Sequence, residues 1–176
     1  MTTFRLIPFP GEAVEDLAIH GEASLGPDGL AVTFRMEGPL EKLVIPPLAS
    51  TPARLDNLWQ TTCLELFISK EGSPDYLEAN LSPAGHWNLY AFSGYRDGMR
   101  REETILSVAI RCLRTPSQLH LFSLLPLPGL ANDTGRLLLG VSAILLHQDG
   151  RTSHWALAHP GPKPDFHTQK GFLLRL

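Results

Sequence analysis

The chain of 176 residues lacks a surplus of positive charge and has few cysteines. It holds 15 Lys and Arg against 18 Asp and Glu, and its longest basic run is Arg100–Arg101. A nucleic-acid site needs a stripe of Lys and Arg facing the phosphates, so we expect no nucleic-acid partner. Cys63 and Cys112 are too few for a disulfide framework and too far apart in sequence for a zinc knuckle.

Long apolar runs are also missing. The longest, LLLGVSAILL at 137–146, has the length of a buried strand and is too short to span a membrane. The N-terminal residues, MTTFRLIPFPGEAVED, lack the basic and apolar segments of a secretory signal. We therefore expect a cytoplasmic protein without a membrane partner.

Glycine and proline, fifteen of each, divide the chain into strand-length segments. Several segments alternate apolar and polar residues with the period of two that β-strands show, and no amphipathic helix exceeds two turns. The chain has no internal repeat and no low-complexity linker. It therefore predicts one all-β, mostly antiparallel domain over residues 1–176, built as a sandwich or barrel.

The segment 61–95 predicts the register of three neighbouring strands. We expect KEGSPD (70–75) to close a hairpin with Ser69 opposite Tyr76, and 83–85 to close the next with glycine in the left-handed region. Nine apolar residues then share one face and form a wall of the core. They are Leu64, Leu66, Ile68, Leu77, Ala79, Leu81, Trp87, Leu89 and Ala91.

The opposite face of these strands carries carboxylates, amides and aromatic rings, and no Lys or Arg. Aromatic rings stack on the C–H face of a sugar, and carboxylates and amides bond to its hydroxyls. We expect a carbohydrate or another small polar ligand here, with Tyr90 stacking and Glu65, Glu78, Asn80 and Asn88 bonding to hydroxyls. The alternative is a face that the chain's own loops cover, where the polar groups bond to one another.

Arg96 follows directly after the third of these strands. Its guanidinium could reach over the sheet edge to Glu78 or to an acidic ligand, because arginine binds carboxylates in a bidentate manner. The alternative is a solvated loop arginine.

Three segments resemble the bacterial DOMON-like proteins related to the family 9 carbohydrate-binding modules. They are LWQTTCLELFI (58–68), YLEANLSPAGHWNLYAFSGYRDGM (76–99) and HWALAHPGPKPDFH (154–167), in that order over most of the chain. The resemblance implies an immunoglobulin-like β-sandwich whose concave face, in the wider superfamily, binds sugars or haem. It also implies an aromatic clamp, for which Trp59 is one member and Trp155 is our assignment for the second, at the rim.

Cofactors are not expected. Haem-binding relatives use a methionine and a histidine, and neither Met36 nor Met99 can be placed opposite a histidine. Calcium, which stabilises some sugar-binding relatives, needs several clustered oxygens. The loops at 11–16 and 131–135 are the only candidates, and we interpret both as ordinary turns.

The stretch SHWALAHPGPKPDFH (153–167) contains three histidines but does not predict a metal site. Strand alternation points His154 and His159 to opposite faces, and the prolines exclude a helix before His167. We interpret the stretch as a rigid corner beside the concave face, holding Trp155, His159 or Lys163 there. Asp165 caps its turn, Phe166 anchors it, and GFLLRL (171–176) returns as a closing strand.

The favoured function is a non-catalytic binding domain for a carbohydrate. Glu65 and Glu78 would be diagonal neighbours, with Cβ atoms about 7 Å apart, which overlaps the carboxylate separations of glycosidases. A glycoside- or sugar-modifying hydrolase using this pair is therefore the alternative, and a protein-interaction module is a third. The sequence contains no nucleophile elbow and no phosphate-binding glycine loop.

Overall fold

The computed structural model describes residues 1–128 and 136–176, so the candidate calcium loop at 131–135 lies outside the described residues. The described residues form twelve β-strands and three one-turn 3-10 helices at Leu40–Lys42, Leu58–Gln60 and Gln169–Gly171. No helix among them is long and apolar enough to cross a membrane. The strands are β1 (Thr2–Pro8), β2 (Ala18–Gly26), β3 (Gly29–Glu37), β4 (Cys63–Lys70), β5 (Tyr76–Leu81), β6 (Trp87–Phe92), β7 (Arg100–Arg101), β8 (Ala109–Arg114), β9 (Gln118–Leu125), β10 (Leu137–Leu146), β11 (Thr152–Ala156) and β12 (Leu174–Arg175).

The strands follow one continuous antiparallel path, β7-β6-β5-β4-β10-β11-β1-β2-β3-β9-β8, and β12 pairs with β10. β1 joins the two halves of this path, because residues 2–6 pair with β2 whereas residues 7–8 pair with β11. The all-β, antiparallel prediction is confirmed. The sheet is strongly curled, since β1 continues from one half into the other, and the finer expectation of an immunoglobulin-like sandwich stays a prediction.

The main core lies between the two halves of the curled sheet. Alternation along β3 buries Leu30, Val32, Phe34 and Met36, which belong to the same apolar cluster as the inward residues of β4 and β10. Each large apolar side chain buried in this way stabilises the fold by about 1.5–3 kcal/mol relative to leaving it exposed. The curled sheet therefore encloses one continuous apolar interior.

The predicted register of β4, β5 and β6 is confirmed. Ser69 pairs with Tyr76 across the first hairpin, and Gly85 in the second connection has a φ of 91°. Eight of the nine predicted apolar residues lie in or against the main core, and Ala91 is buried opposite Leu77. β10 then extends the sheet beside β4, where Ser142 pairs with Glu65.

Candidate functional site

A second, smaller cluster of aromatic residues covers part of the outer face of β4, β5 and β6. Its buried members are Phe67, Tyr76, Tyr90, Phe92 and Phe172. Phe172 comes from the C-terminal segment and packs over Gly140, where an added Cβ would lie 2.6 Å from the Phe172 ring. The predicted polar face is therefore partly covered by the chain's own C-terminal segment.

A cavity of about 390 Å³ remains between this segment and the sheet. Pockets of this size hold small-molecule ligands, commonly with apolar walls and a few polar groups that orient the ligand. The lining residues are Trp59, Glu65, Phe67, Glu78, Phe92, Arg96, Met99, Ile144, His154, Pro164, Phe166 and His167.

Two carboxyl groups, Glu65 and Glu78, contribute to this cavity and are called the floor carboxyls below. Glu65 is only 3% exposed, and the Ser142 hydroxyl donates to its Oε2 at 3.0 Å. Its Oε1 has no hydrogen-bond partner among the described residues. Burial, with the added repulsion of Glu78, raises the pKa of Glu65 to about 8.

Glu78 is the second floor carboxyl and is 5% exposed. The Asn80 amide donates to its Oε1 at 2.8 Å, whereas its Oε2 lies 3.8 Å from His167 Nε2, too far for a hydrogen bond. Burial raises the pKa of Glu78, and the Asn80 hydrogen bond and the Arg96 charge act in the opposite direction. Oε2 of Glu78 therefore has no hydrogen-bond partner among the described residues.

His167 presents a donor beside Oε2 of Glu78. Its Nδ1 lies 2.8 Å from the Tyr76 hydroxyl, which accepts a hydrogen bond from the Arg96 backbone N–H at 3.2 Å. That hydroxyl has no other acceptor among the described residues, so we assign it as the donor and Nδ1 as the acceptor. The neutral ring then carries its own hydrogen on Nε2. Burial lowers the pKa of His167 to about 4, so the ring is neutral at neutral pH.

Two basic side chains at the rim of the cavity each lie against a carboxylate. The Arg96 guanidinium lies 3.0 Å from Asp165, and His154 Nδ1 lies 3.0 Å from Glu12. Arg96 therefore lines the cavity as expected but bonds to Asp165, where the sequence suggested Glu78. The cap is confirmed, because Asp165 Oδ1 accepts the His167 backbone N–H at 3.2 Å.

Asn88 and Tyr90 lie on the predicted face but bond to a segment that precedes β4. Asp56 Oδ1 accepts the Asn88 amide at 2.8 Å and the Tyr90 hydroxyl at 2.7 Å. Arg54 Nε donates to Asn88 Oδ1 at 2.9 Å, so both sides of this amide are occupied. These two residues hold the segment at 53–57 in place and do not line the cavity. Asn80 contributes to the cavity indirectly, because it donates a hydrogen bond to Glu78.

The two predicted aromatic clamps have different positions. Trp59 is half-buried, lines the cavity, and makes an edge-to-face contact with Tyr90 at a centroid distance of 5.8 Å. Trp155 is 3% exposed and belongs to the main core, where its indole donates to Ser153. The assignment of Trp155 to the rim is corrected, because it points to the inner side of β11 and His154 to the cavity.

The corner at 153–167 contributes residues that we did not assign to the site. Pro164, Phe166 and His167 line the cavity, while His159 bonds to the Ile7 carbonyl instead. Only the returning C-terminal segment brings them over the sheet, so no local pattern identified them. Within residues 1–128 and 136–176, no group of three or more His, Cys, Asp or Glu side chains is placed to hold a metal ion.

Comparison with solved structures shows that the fold is similar to that of carbohydrate-binding proteins. A presumed carbohydrate-binding protein from Bacteroides uniformis ATCC 8492 aligns with a TM-score of 0.70 at 13% identity, covering 98% of this chain and 84% of that one. A family 9 carbohydrate-binding module from Caldicellulosiruptor kristjanssonii in complex with glucose aligns with a TM-score of 0.51 at 12% identity, covering 82% and 69%. The same source's module in complex with cellotriose gives 0.54 at 12% identity, covering 89% and 72%.

Comparisons by sequence add no assignment. No protein-family model matches the chain, and no curated protein matches it in sequence. The similarity to the family 9 modules is therefore a similarity of fold.

Proposed function

We propose that this protein is a non-catalytic carbohydrate-binding domain that holds one or a few sugar units in the cavity between Trp59 and His167. The observation that carries this proposal is the pair of buried carboxyl groups in an aromatic-lined cavity of about 390 Å³. A sugar offers the two surfaces that such a cavity requires, an apolar C–H face and a set of hydroxyls.

The polar groups of the cavity suit hydroxyls because they combine donors with acceptors. A ligand hydroxyl placed beside His167 Nε2 and Glu78 Oε2, which are 3.8 Å apart, would accept from the ring and donate to the carboxyl oxygen. Glu65, with its raised pKa, is largely protonated at neutral pH and can donate as well as accept. A ligand atom would then supply the hydrogen-bond partner that each of these groups lacks in the free protein.

The ring of the sugar has a stacking surface at the mouth of the cavity. Trp59 is half-buried and Phe166 is partly buried, and both line the cavity next to the floor carboxyls. The known complexes of similar fold, with glucose and with cellotriose, support a sugar as the ligand class.

Isothermal titration with glucose and with cellotriose tests the proposal. Replacing Glu78 by Gln exchanges one carboxyl oxygen for an amide NH2 group and so removes one hydrogen-bond acceptor, and a loss of about ten- to a hundredfold in affinity is expected. Asp149→Asn is the matched control, because it removes one negative charge in the exposed turn between β10 and β11. Absence of saturable binding of any sugar, or equal losses in both variants, would contradict the proposal.

One observation favours the second candidate, a glycoside hydrolase. The floor carboxyls both have raised pKa values, as a general acid requires, and Glu65 has an oxygen directed at the cavity. Such an enzyme would release the chromophore from a chromogenic glycoside, and both Glu65→Gln and Glu78→Gln would abolish the turnover. A binding domain gives no turnover with any of the three proteins.

A further inference from the structure

The cavity has an unequal balance of charge. The Arg96 guanidinium at its rim is already paired with Asp165, and the His154 ring already contacts Glu12. Among the ion pairs of the described residues, the floor carboxyls have no Lys or Arg partner. Burying carboxyl groups without a cation is costly, and a positively charged ligand would offset that cost.

Glu65 is the floor carboxyl with the most unused capacity. It is 97% removed from solvent, Ser142 occupies Oε2, and Oε1 has no partner within the described part of the chain. Because Glu65 lines the cavity, a ligand can reach Oε1 from there. Glu78 contributes Oε2, which the neutral His167 ring faces at 3.8 Å without bonding to it.

The walls suit an organic cation. Trp59, Phe67, Phe92 and Phe166 line the same cavity as the floor carboxyls, and aromatic faces attract ammonium groups within about 6 Å. A metal ion fits less well, because Ca²⁺ takes about six to eight oxygen ligands. The described residues contain no cluster of three suitable side chains here.

We propose that the preferred ligand is an amino sugar whose free ammonium group lies between Glu65 and Glu78. This rests on the carbohydrate-binding function proposed above and adds the ligand class. The sugar ring would lie against Trp59, and the ammonium would donate to Oε1 of Glu65 and Oε2 of Glu78.

Binding of such a ligand is coupled to release of a proton. An ammonium beside Glu65 favours the ionised carboxyl, so the proton that the free protein holds there leaves to solvent. The other titratable groups that line the cavity are Glu78, Arg96, His154 and His167. A neutral sugar brings no charge, so its binding leaves the Glu65 proton in place.

Titration calorimetry with four probes tests the inference at about pH 7, where most of a sugar amine is protonated. The probes are glucosamine, glucose, N-acetylglucosamine and ethanolamine, each measured in two buffers of different ionisation enthalpy. We expect glucosamine to bind about tenfold or more tightly than glucose and N-acetylglucosamine, with proton release for glucosamine alone. In Glu65→Gln, and independently in Glu78→Gln, the ratio of glucosamine to glucose affinity should fall towards one, whereas Asp149→Asn should keep it.

The outcomes separate the inference from the function on which it rests. Glucose bound as tightly as glucosamine, or a ratio unchanged in both folded Gln variants, would overturn the amino-sugar assignment and leave carbohydrate binding in place. No binding of any sugar would overturn the proposed function itself. Ethanolamine bound as tightly as glucosamine would show a site for amines that does not recognise the sugar, and would overturn both.

Discussion

Replacing Glu65 by Gln should stabilise the protein, increasingly so as the pH rises. Gln keeps the size of the side chain, and its amide oxygen can still accept the Ser142 hydroxyl that now donates at 3.0 Å. What it removes is a carboxyl group that is 3% exposed and has no cationic partner among the described ion pairs. At neutral pH the folded wild-type protein keeps this carboxyl group protonated, whereas in the unfolded chain the group is ionised.

The magnitude follows from the two pKa values. Glu65 titrates near 4.5 when unfolded and at about 8 in the fold, and each unit corresponds to about 1.4 kcal/mol. A group whose pKa is raised by folding contributes its full stability below the unfolded value and loses it as the pH rises towards the folded value. The free energy of unfolding of the wild type should therefore fall relative to that of the variant by about 1 kcal/mol at about pH 5, and by about 3 kcal/mol at about pH 7.

Urea unfolding of both proteins at several values between about pH 5 and pH 8 measures this difference directly. Any cost of the substitution that does not depend on pH changes the difference in unfolding free energy by the same amount at every pH. The prediction therefore concerns how this difference changes with pH. Asp149→Asn is the control, because the pKa of Asp149 is lowered by Arg151 and its titration is complete below this range. A difference between wild type and Glu65→Gln that stays constant across the range would show that folding does not raise the pKa of Glu65.

Three further outcomes are expected. Gly140→Ala should lower the free energy of unfolding by about 1–3 kcal/mol in urea titrations, because its Cβ would lie 2.6 Å from the Phe172 ring. Arg54→Ala should lower it by about 2 kcal/mol in the same assay, since it removes the hydrogen bond to the Glu102 carbonyl at 2.7 Å and frees the segment at 53–57. From about pH 6.5 down to pH 4, the free energy of unfolding of the wild type should fall by about 1–3 kcal/mol more than that of His167→Gln. The reason is that burial lowers the His167 pKa, so the native ring resists protonation. Equal changes with pH in the two proteins would contradict this.

Local patterns predicted one part of this fold closely. The pairing of Glu65 with Asn80 and of Glu78 with Tyr90 follows from alternation and from two short connections. A slip of one residue in any of these strands would turn its three apolar side chains to the wrong face, so the register is strongly determined. The double pairing of β1 has no such local mark, because the strands it joins, β2 and β11, lie far apart in sequence, so the curl of the sheet could not be predicted.

The candidate site was only partly predictable, for a related reason. Alternation identified the outward face and hence Glu65 and Glu78. It could not show which loops return over that face, and those loops decide which polar groups a ligand can reach. Asp56, for example, accepts hydrogen bonds from Asn88 and Tyr90 although it lies more than thirty residues away in sequence.

The indole N–H signals of the three tryptophans report directly on whether a sugar enters the cavity. Trp59 lines the cavity, whereas Trp87 and Trp155 lie in the main core at 6% and 3% exposure. In ¹⁵N-correlated NMR spectra, addition of a sugar that binds in the cavity should shift the Trp59 signal saturably and leave the other two in place. A Trp59 signal that does not respond to any sugar, or a sugar that binds while shifting only other parts of the spectrum, would exclude this cavity as the sugar-binding site.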